Sequence, residues 1–226
     1  MMVSDSSRRK VELQVKNIVV SIILLTFAAV SGASLAQEPQ EQVEQAIAEL
    51  AAGLDGRKEE LENDREALYE LINEILLPRF NRTYSAQLVL GKNWKDADEA
   101  QRERFIDGFY NSLLRKYAEG ALEFDHERVS LLPFRGDLSK KRTIVKTTVT
   151  LNEGTKLTVN YGFANRDDAW KMFDVTIEGI SYVRNYRAEL DAEIKSTSLD
   201  AVIERLERDN SGVEDAADGA GSVAGE

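Results

Sequence analysis

The sequence predicts an α+β fold: an antiparallel twisted sheet of about four strands covered on one face by helices. Three observations carry that prediction. Apolar residues recur at helical spacing from Val43 to Tyr117, alternate between Val129 and Ile177, and return to helical spacing from Val183 to Leu206. The alternating segments have one apolar and one polar or small face, as in an antiparallel sheet covered on a single side. Turn-forming clusters, Asn152-Glu153-Gly154-Thr155 and Asn165-Arg166-Asp167-Asp168, separate neighbouring strands.

The elements follow in order. Arg8, Arg9, Lys10 and Lys16 precede an apolar run from Ile18 to Val30, which leads into Ser31-Gly32-Ala33-Ser34-Leu35-Ala36. These are the three parts of a secretory signal peptide, and the run is shorter than the roughly 18 to 20 residues that span a bilayer. Cleavage is expected after Ala36. Val43, Ile47, Leu50, Ala51 and Leu54 then form a helical stripe ending at Gly53-Leu54-Asp55-Gly56. A second stripe runs from Leu61 to Leu76, with a cap expected at Asn63 and Glu66 and a stop at Pro78. Phe80 to Leu90 reads as a short helix closed by Gly91.

Asp98 with Gln101 is a capping pattern that opens the longest helix, along which Phe105, Phe109, Leu113 and Tyr117 recur every four residues. Gly108 in its interior weakens it by roughly 1 kcal/mol relative to alanine, which raises the question of a close neighbour. Strands are expected at Val129–Leu131, around Val145 to Leu151, around Leu157 to Phe163, and around Phe173 to Ile177. Two helical stripes follow, at Val183, Tyr186, Leu190 and Ile194, then at Leu199, Val202, Ile203 and Leu206. Residues 210–226 lack periodic apolar positions and read as a disordered acidic tail, leaving one domain over residues 37–209.

Composition removes several functions. The 226 residues are 42% apolar and 31% charged, with a net charge of −11, which argues against nucleic-acid binding. There is no cysteine, so disulfides, thiolate metal sites, thiol catalysis and an N-terminal lipid anchor are excluded. Export without cysteine suits a bacterial periplasm. The single histidine, His126, has only carboxylates near it in sequence, and no catalytic or phosphate-cradling motif occurs. Lys140, Lys141 and Arg142 form the one dense basic cluster outside the signal, either a headgroup or partner contact or a solvated strand entrance.

Two runs of residues say more. Leu88-Val89-Leu90-Gly91-Lys92-Asn93-Trp94 with Ala97, Gln101-Arg102, Phe105, Phe109, Leu113 and Tyr117 is one; the segment from Phe173 through Gly179-Ile180-Ser181 to Asn185-Tyr186-Arg187 is the other. Together with Leu199-Asp200-Ala201-Val202-Ile203-Glu204-Arg205-Leu206, they resemble the MlaC family of periplasmic phospholipid-binding proteins, also called toluene-tolerance or auxiliary transport components. The similarity runs from about Val43 to Leu206; the acidic tail has no counterpart.

The resemblance implies a soluble carrier rather than an enzyme, with an apolar cleft between sheet and helices and a phospholipid as its only bound group. It implies as partners an inner-membrane ABC transporter with a substrate-binding ring and an outer-membrane lipoprotein complex, in the service of outer-membrane lipid asymmetry. By facing, Val145, Val149, Leu157, Val159, Tyr161, Phe173 and Val175 from the strands and Phe105, Phe109 and Leu113 from the long helix are expected to line the cleft. Lys140, Lys141 and Arg142 are expected at the headgroup or a partner. The alternatives are another apolar cargo, a structural adaptor with a filled core, or an enzyme using a perturbed carboxylate such as Asp174.

Overall fold

A computed structural model describes residues 37–151 and 154–211; the expected signal peptide, the acidic tail and the first half of the Asn152–Thr155 turn lie outside those residues. Helix α1 (Pro39–Leu54) begins with a proline at its first position, where the missing N–H costs nothing. Short α2 (Lys58–Asn63) and α3 (Arg65–Leu76) divide the second stripe. The cap between them is Asp64, not Asn63, because α2 runs on to Asn63 and the chain turns extended one residue later. Asp64 accepts from the Ala67 N–H at 3.0 Å. Helix α4 (Arg82–Leu90) is capped by Asn81 and closed by Gly91 at φ +56°, a conformation that favours glycine.

After a single turn, α5 (Asn93–Asp96), the capping box of Asp98 and Gln101 opens α6 (Glu99–Tyr117), with both reciprocal hydrogen bonds formed. Helices α7 (Tyr182–Ser196) and α8 (Leu199–Ser211) close the described chain, α8 reaching two residues into the expected tail. Gly108 is where α8 approaches: a Cβ there would stand 3.3 Å from Leu206 Cβ, and Asn210 donates to the Gly108 carbonyl at 2.9 Å. Gly108→Val should therefore destabilise the protein by about 1–3 kcal/mol through overpacking, read as a lower urea midpoint.

The sheet is an antiparallel meander in the order β1-β2-β3-β4-β5: β1 (Val129–Leu131), β2 (Arg142–Thr150), β3 (Lys156–Arg166), β4 (Ala169–Ile177) and β5 (Ile180–Ser181). The fifth strand was not expected. It pairs through a two-residue loop in which Glu178 and Gly179 both have positive φ, and Asp167 and Asp168 do the same between β3 and β4. Two successive positive φ values match the hairpin turns whose twist suits the strands.

A bulge interrupts the pairing of β3 with β4. Gly162 pairs with Asp174 and Phe163 with Met172, so Phe173 is the extra residue. The bulge shifts the phase of β4, and Trp170 and Met172 join Val175 and Ile177 on the face that carries Tyr161 and Phe163. The strict alternation expected for Phe173, Val175 and Ile177 holds only beyond it. The Phe173 ring packs edge-on against Tyr84 of α4 at 5.2 Å, close to Gly162. The opposite face of β2 is open to water, with Ile144 51% exposed.

Candidate functional site

Among the described residues, the buried ones fall into three clusters instead of one. The first joins α4, α6, α7 and α8 around Phe105, Phe109 and Val202; the second joins α1, α2, α3 and the turn after α6 around Leu61 and Leu68; the third joins α1 to the sheet around Val43, Val145, Phe163 and Trp170. Between them lies a cavity of about 500 Å³. Its wall draws on all three clusters: Val43, Ile47 and Leu50 of α1, Ile72, Ile75 and Leu76 of α3, Phe109, Tyr110, Leu113, Leu114 and Tyr117 of α6, Tyr161 and Phe163 of β3, Met172, Phe173, Val175 and Ile177 of β4, and Tyr182, Val183 and Tyr186 of α7.

Gln42, Arg79 and Asp174 at the wall hydrogen-bond into the protein, although Gln42 Oε1 and Arg79 Nε are buried with no hydrogen-bond partner among the described residues. Gln42 donates to the carbonyls of Gln37 at 2.8 Å and Trp170 at 2.9 Å. Arg79 donates to the Ile75 carbonyl and to Glu49, both at 2.6 Å. Asp174 accepts from the Ser181 hydroxyl at 2.6 Å and the Val183 N–H at 3.0 Å, while Ser181 caps α7 by accepting from the Arg184 N–H. That carboxylate fastens the start of α7 to β4. Asp174→Ala should cost about 1.5–3 kcal/mol in a urea titration, the range for hydrogen bonds to a charged group.

The tyrosines at the wall remain neutral phenols. Burial raises the pKa of Tyr110, Tyr117, Tyr161, Tyr182 and Tyr186, with partial opposition from Arg82 at Tyr110 and from the Thr147 hydroxyl at Tyr161. Tyr117 is 42% exposed and marks the rim; its hydroxyl meets that of Tyr186 at 2.9 Å, and its ring meets Tyr182 edge-on at 5.4 Å. Among the described residues, no group of three His, Asp or Glu is placed to hold a metal ion, and no helix is long and apolar enough to cross a membrane. His126 lies exposed in a short 3₁₀ turn. The arrangement can hold an extended apolar guest and offers it almost no polar contact.

Five of the ten residues expected at the cleft stand at its wall: Phe109, Leu113, Tyr161, Phe173 and Val175. The other five do not. Phe105 is fully buried in the first cluster, stacked on Phe109 at 5.6 Å, because α6 is covered on both sides. Val145 is buried under α1 in the third cluster, and Val159 is buried on the same sheet face. Val149 and Leu157 are half-buried and face each other across β2 and β3, towards the hairpin end of the pair.

None of the three basic residues borders the cavity. Lys140 lies 3.8 Å from Asp137 and Lys141 is exposed. Arg142 donates to the Tyr84 hydroxyl and lies over the Tyr84 and Phe173 rings. What sequence reasoning missed is the contribution of α1, α3 and α7. Val43, Ile47 and Leu50 were visible as an apolar stripe, but nothing in a stripe tells a wall from a packed core.

Comparison with known proteins bears on the fold and the family. A solved structure of the phospholipid-binding protein from Ralstonia solanacearum in complex with a phospholipid superposes with a TM-score of 0.68, at 23% identity, over 77% of this chain and 98% of the other. The toluene tolerance protein ttg2D of Pseudomonas putida is 29% identical over 153 residues, 67% of this chain and 71% of its own length. The intermembrane phospholipid transport system binding protein MlaC of Haemophilus influenzae is 20% identical over 194 residues, 84% of this chain and 90% of its own. The family model described as MlaC protein matches residues 32–208, and the chain belongs to that family.

Proposed function

We propose that this chain is a diffusible periplasmic carrier that holds phospholipid acyl chains in the cavity between its helices and sheet. In this reading it shuttles lipid between an outer-membrane lipoprotein complex and an inner-membrane ABC transporter and so helps to keep outer-membrane lipids asymmetric. The observation that carries it is the apolar cavity at the junction of three separate core clusters. The cavity is partly open, so without a guest its apolar lining would stand against water, and acyl chains that cover it remove that contact. The names of the relatives, which include phospholipid-binding and phospholipid transport proteins, agree on the guest.

The energetics suit a carrier. A diacyl lipid has roughly thirty methylenes, and at about 0.8 kcal/mol each their exposure to water would cost on the order of 25 kcal/mol. A protein wall that replaces the bilayer makes transfer nearly isoenergetic, so no ligand-specific polar contact is required. The proposal places the binding domain within residues 37–209 after removal of residues 1–36, and leaves Lys140 and Lys141 as headgroup-facing or partner-facing groups.

The test is native mass spectrometry of protein purified from a periplasm without detergent, followed by lipid extraction. A stoichiometric adduct of phospholipid mass on a chain starting at Gln37 is expected. Protein that stays bare after incubation with liposomes would refute the carrier reading.

A further inference from the structure

A second cleft, of about 300 Å³, opens between the end of α4 and one side of α7, lined by Leu90, Lys92, Arg184, Arg187, Ala188 and Asp191. Its charge is opposite to that of the whole chain: three cations and one carboxylate on a protein of net charge −11. The carboxylate is already engaged. Asp191 receives Lys195 at 2.7 Å and Lys92 and Asn93 at 3.2 Å, and these contacts, Lys195 foremost, hold its pKa down to about 2.

Arg184 and Arg187, one turn apart, have no ion-pair partner among the described residues. The Arg187 guanidinium rests on the bare backbone of Gly91, where a Cβ would come within 2.7 Å of its Nε. Gly91 thus serves twice, ending α4 and seating a cation. Two exposed guanidinium groups one turn apart beside a lysine offer an oxyanion several N–H donors in the planar fork geometry that suits it.

We propose that this cleft binds a phosphate monoester group. Lys92, Arg184, Arg187 and Lys195 against Asp191 leave a net charge of +3 at the cleft, and a phosphate monoester, which carries about −1.5 to −2 at neutral pH, offsets more of it than a carboxylate does. The site is separate from the lipid cavity. Tyr182, Val183 and Tyr186 face the cavity, whereas Arg184, Arg187, Ala188 and Asp191 fall on the other side of α7 at 3.6 residues per turn. The phosphate comes either from a lipid headgroup presented by a membrane or from a soluble phosphate ester.

Calorimetric titration of the protein with inorganic phosphate, at constant ionic strength balanced with chloride, tests the site. One saturable site per chain is expected, weakened about tenfold or more in R184Q/R187Q. The same variant should retain its circular dichroism and its phospholipid adduct. R187K should bind more weakly than the unaltered protein, since lysine lacks the fork. Flotation with phosphatidylcholine vesicles, with and without phosphatidic acid, and titration with glycerol phosphate separate the two sources. Binding only to the phosphatidic acid vesicles, abolished in R184Q/R187Q, assigns the membrane source, and binding only of the ester in solution assigns the other. Heat that merely follows ionic strength, or phosphate binding unchanged in R184Q/R187Q, overturns the proposal. So does capture of an acidic protein by a cleft that takes no phosphate.

Discussion

Leu113→Trp and, separately, Val175→Trp are expected to cut phospholipid uptake about tenfold or more, a change of about 1.4 kcal/mol or greater in binding free energy. Leu113 on α6 and Val175 on β4 both stand at the wall of the 500 Å³ cavity. An indole at either position occupies the space that acyl methylenes need, and an apolar guest has few polar contacts to lose, so displaced volume is the main penalty. Leu113 and Val175 are half-buried, which leaves room for the larger ring without the strain it would meet in the core. Occupancy after incubation with liposomes, measured by native mass spectrometry, reads the effect, with far-UV circular dichroism as the control for folding. Full occupancy in both variants would mean that the cargo lies elsewhere.

Phe105→Ala is expected to do the reverse: to destabilise the protein by about 3–5 kcal/mol while leaving lipid occupancy of the folded fraction unchanged. Phe105 is 0% exposed and stacks on Phe109 within 4° of parallel, between helices that also bury Val202, Ile203 and Leu206. Its removal leaves a void that the neighbours cannot close. A loss of that size is a large part of a typical total of 5–15 kcal/mol, and urea unfolding should show a lower midpoint at an unchanged slope. If occupancy fell in proportion to the bulk removed, Phe105 would have to be counted as wall, not core. Read against the tryptophan variants, this substitution separates residues that hold the fold from those that hold the guest, although both kinds sit on α6.

Much of the fold was legible in local chemistry. The Asp98 and Gln101 box, the Gly91 stop and the hairpin at Asp167-Asp168 depend on neighbours within a few residues, and each formed where its residues stand. Features that need a distant partner were not legible. The bulge that makes Phe173 an extra residue arises from pairing with Gly162, and the two-residue strand β5 exists only because β4 offers it an edge.

The candidate site divides along the same line. The sequence by itself determined that helices flank a one-sided sheet, and its quoted runs resemble one family; the apolar stripes of α1, α6 and α7 were all in view. Tertiary structure alone decided which apolar residues line a space and which fill one. An amphipathic stripe records that a side chain avoids water, and the free energy of that avoidance is the same against a core as against a guest. Phe105 and Phe109 are one turn apart with the same chemistry; the placement of α8 and of the sheet makes the first a packed residue and the second a wall.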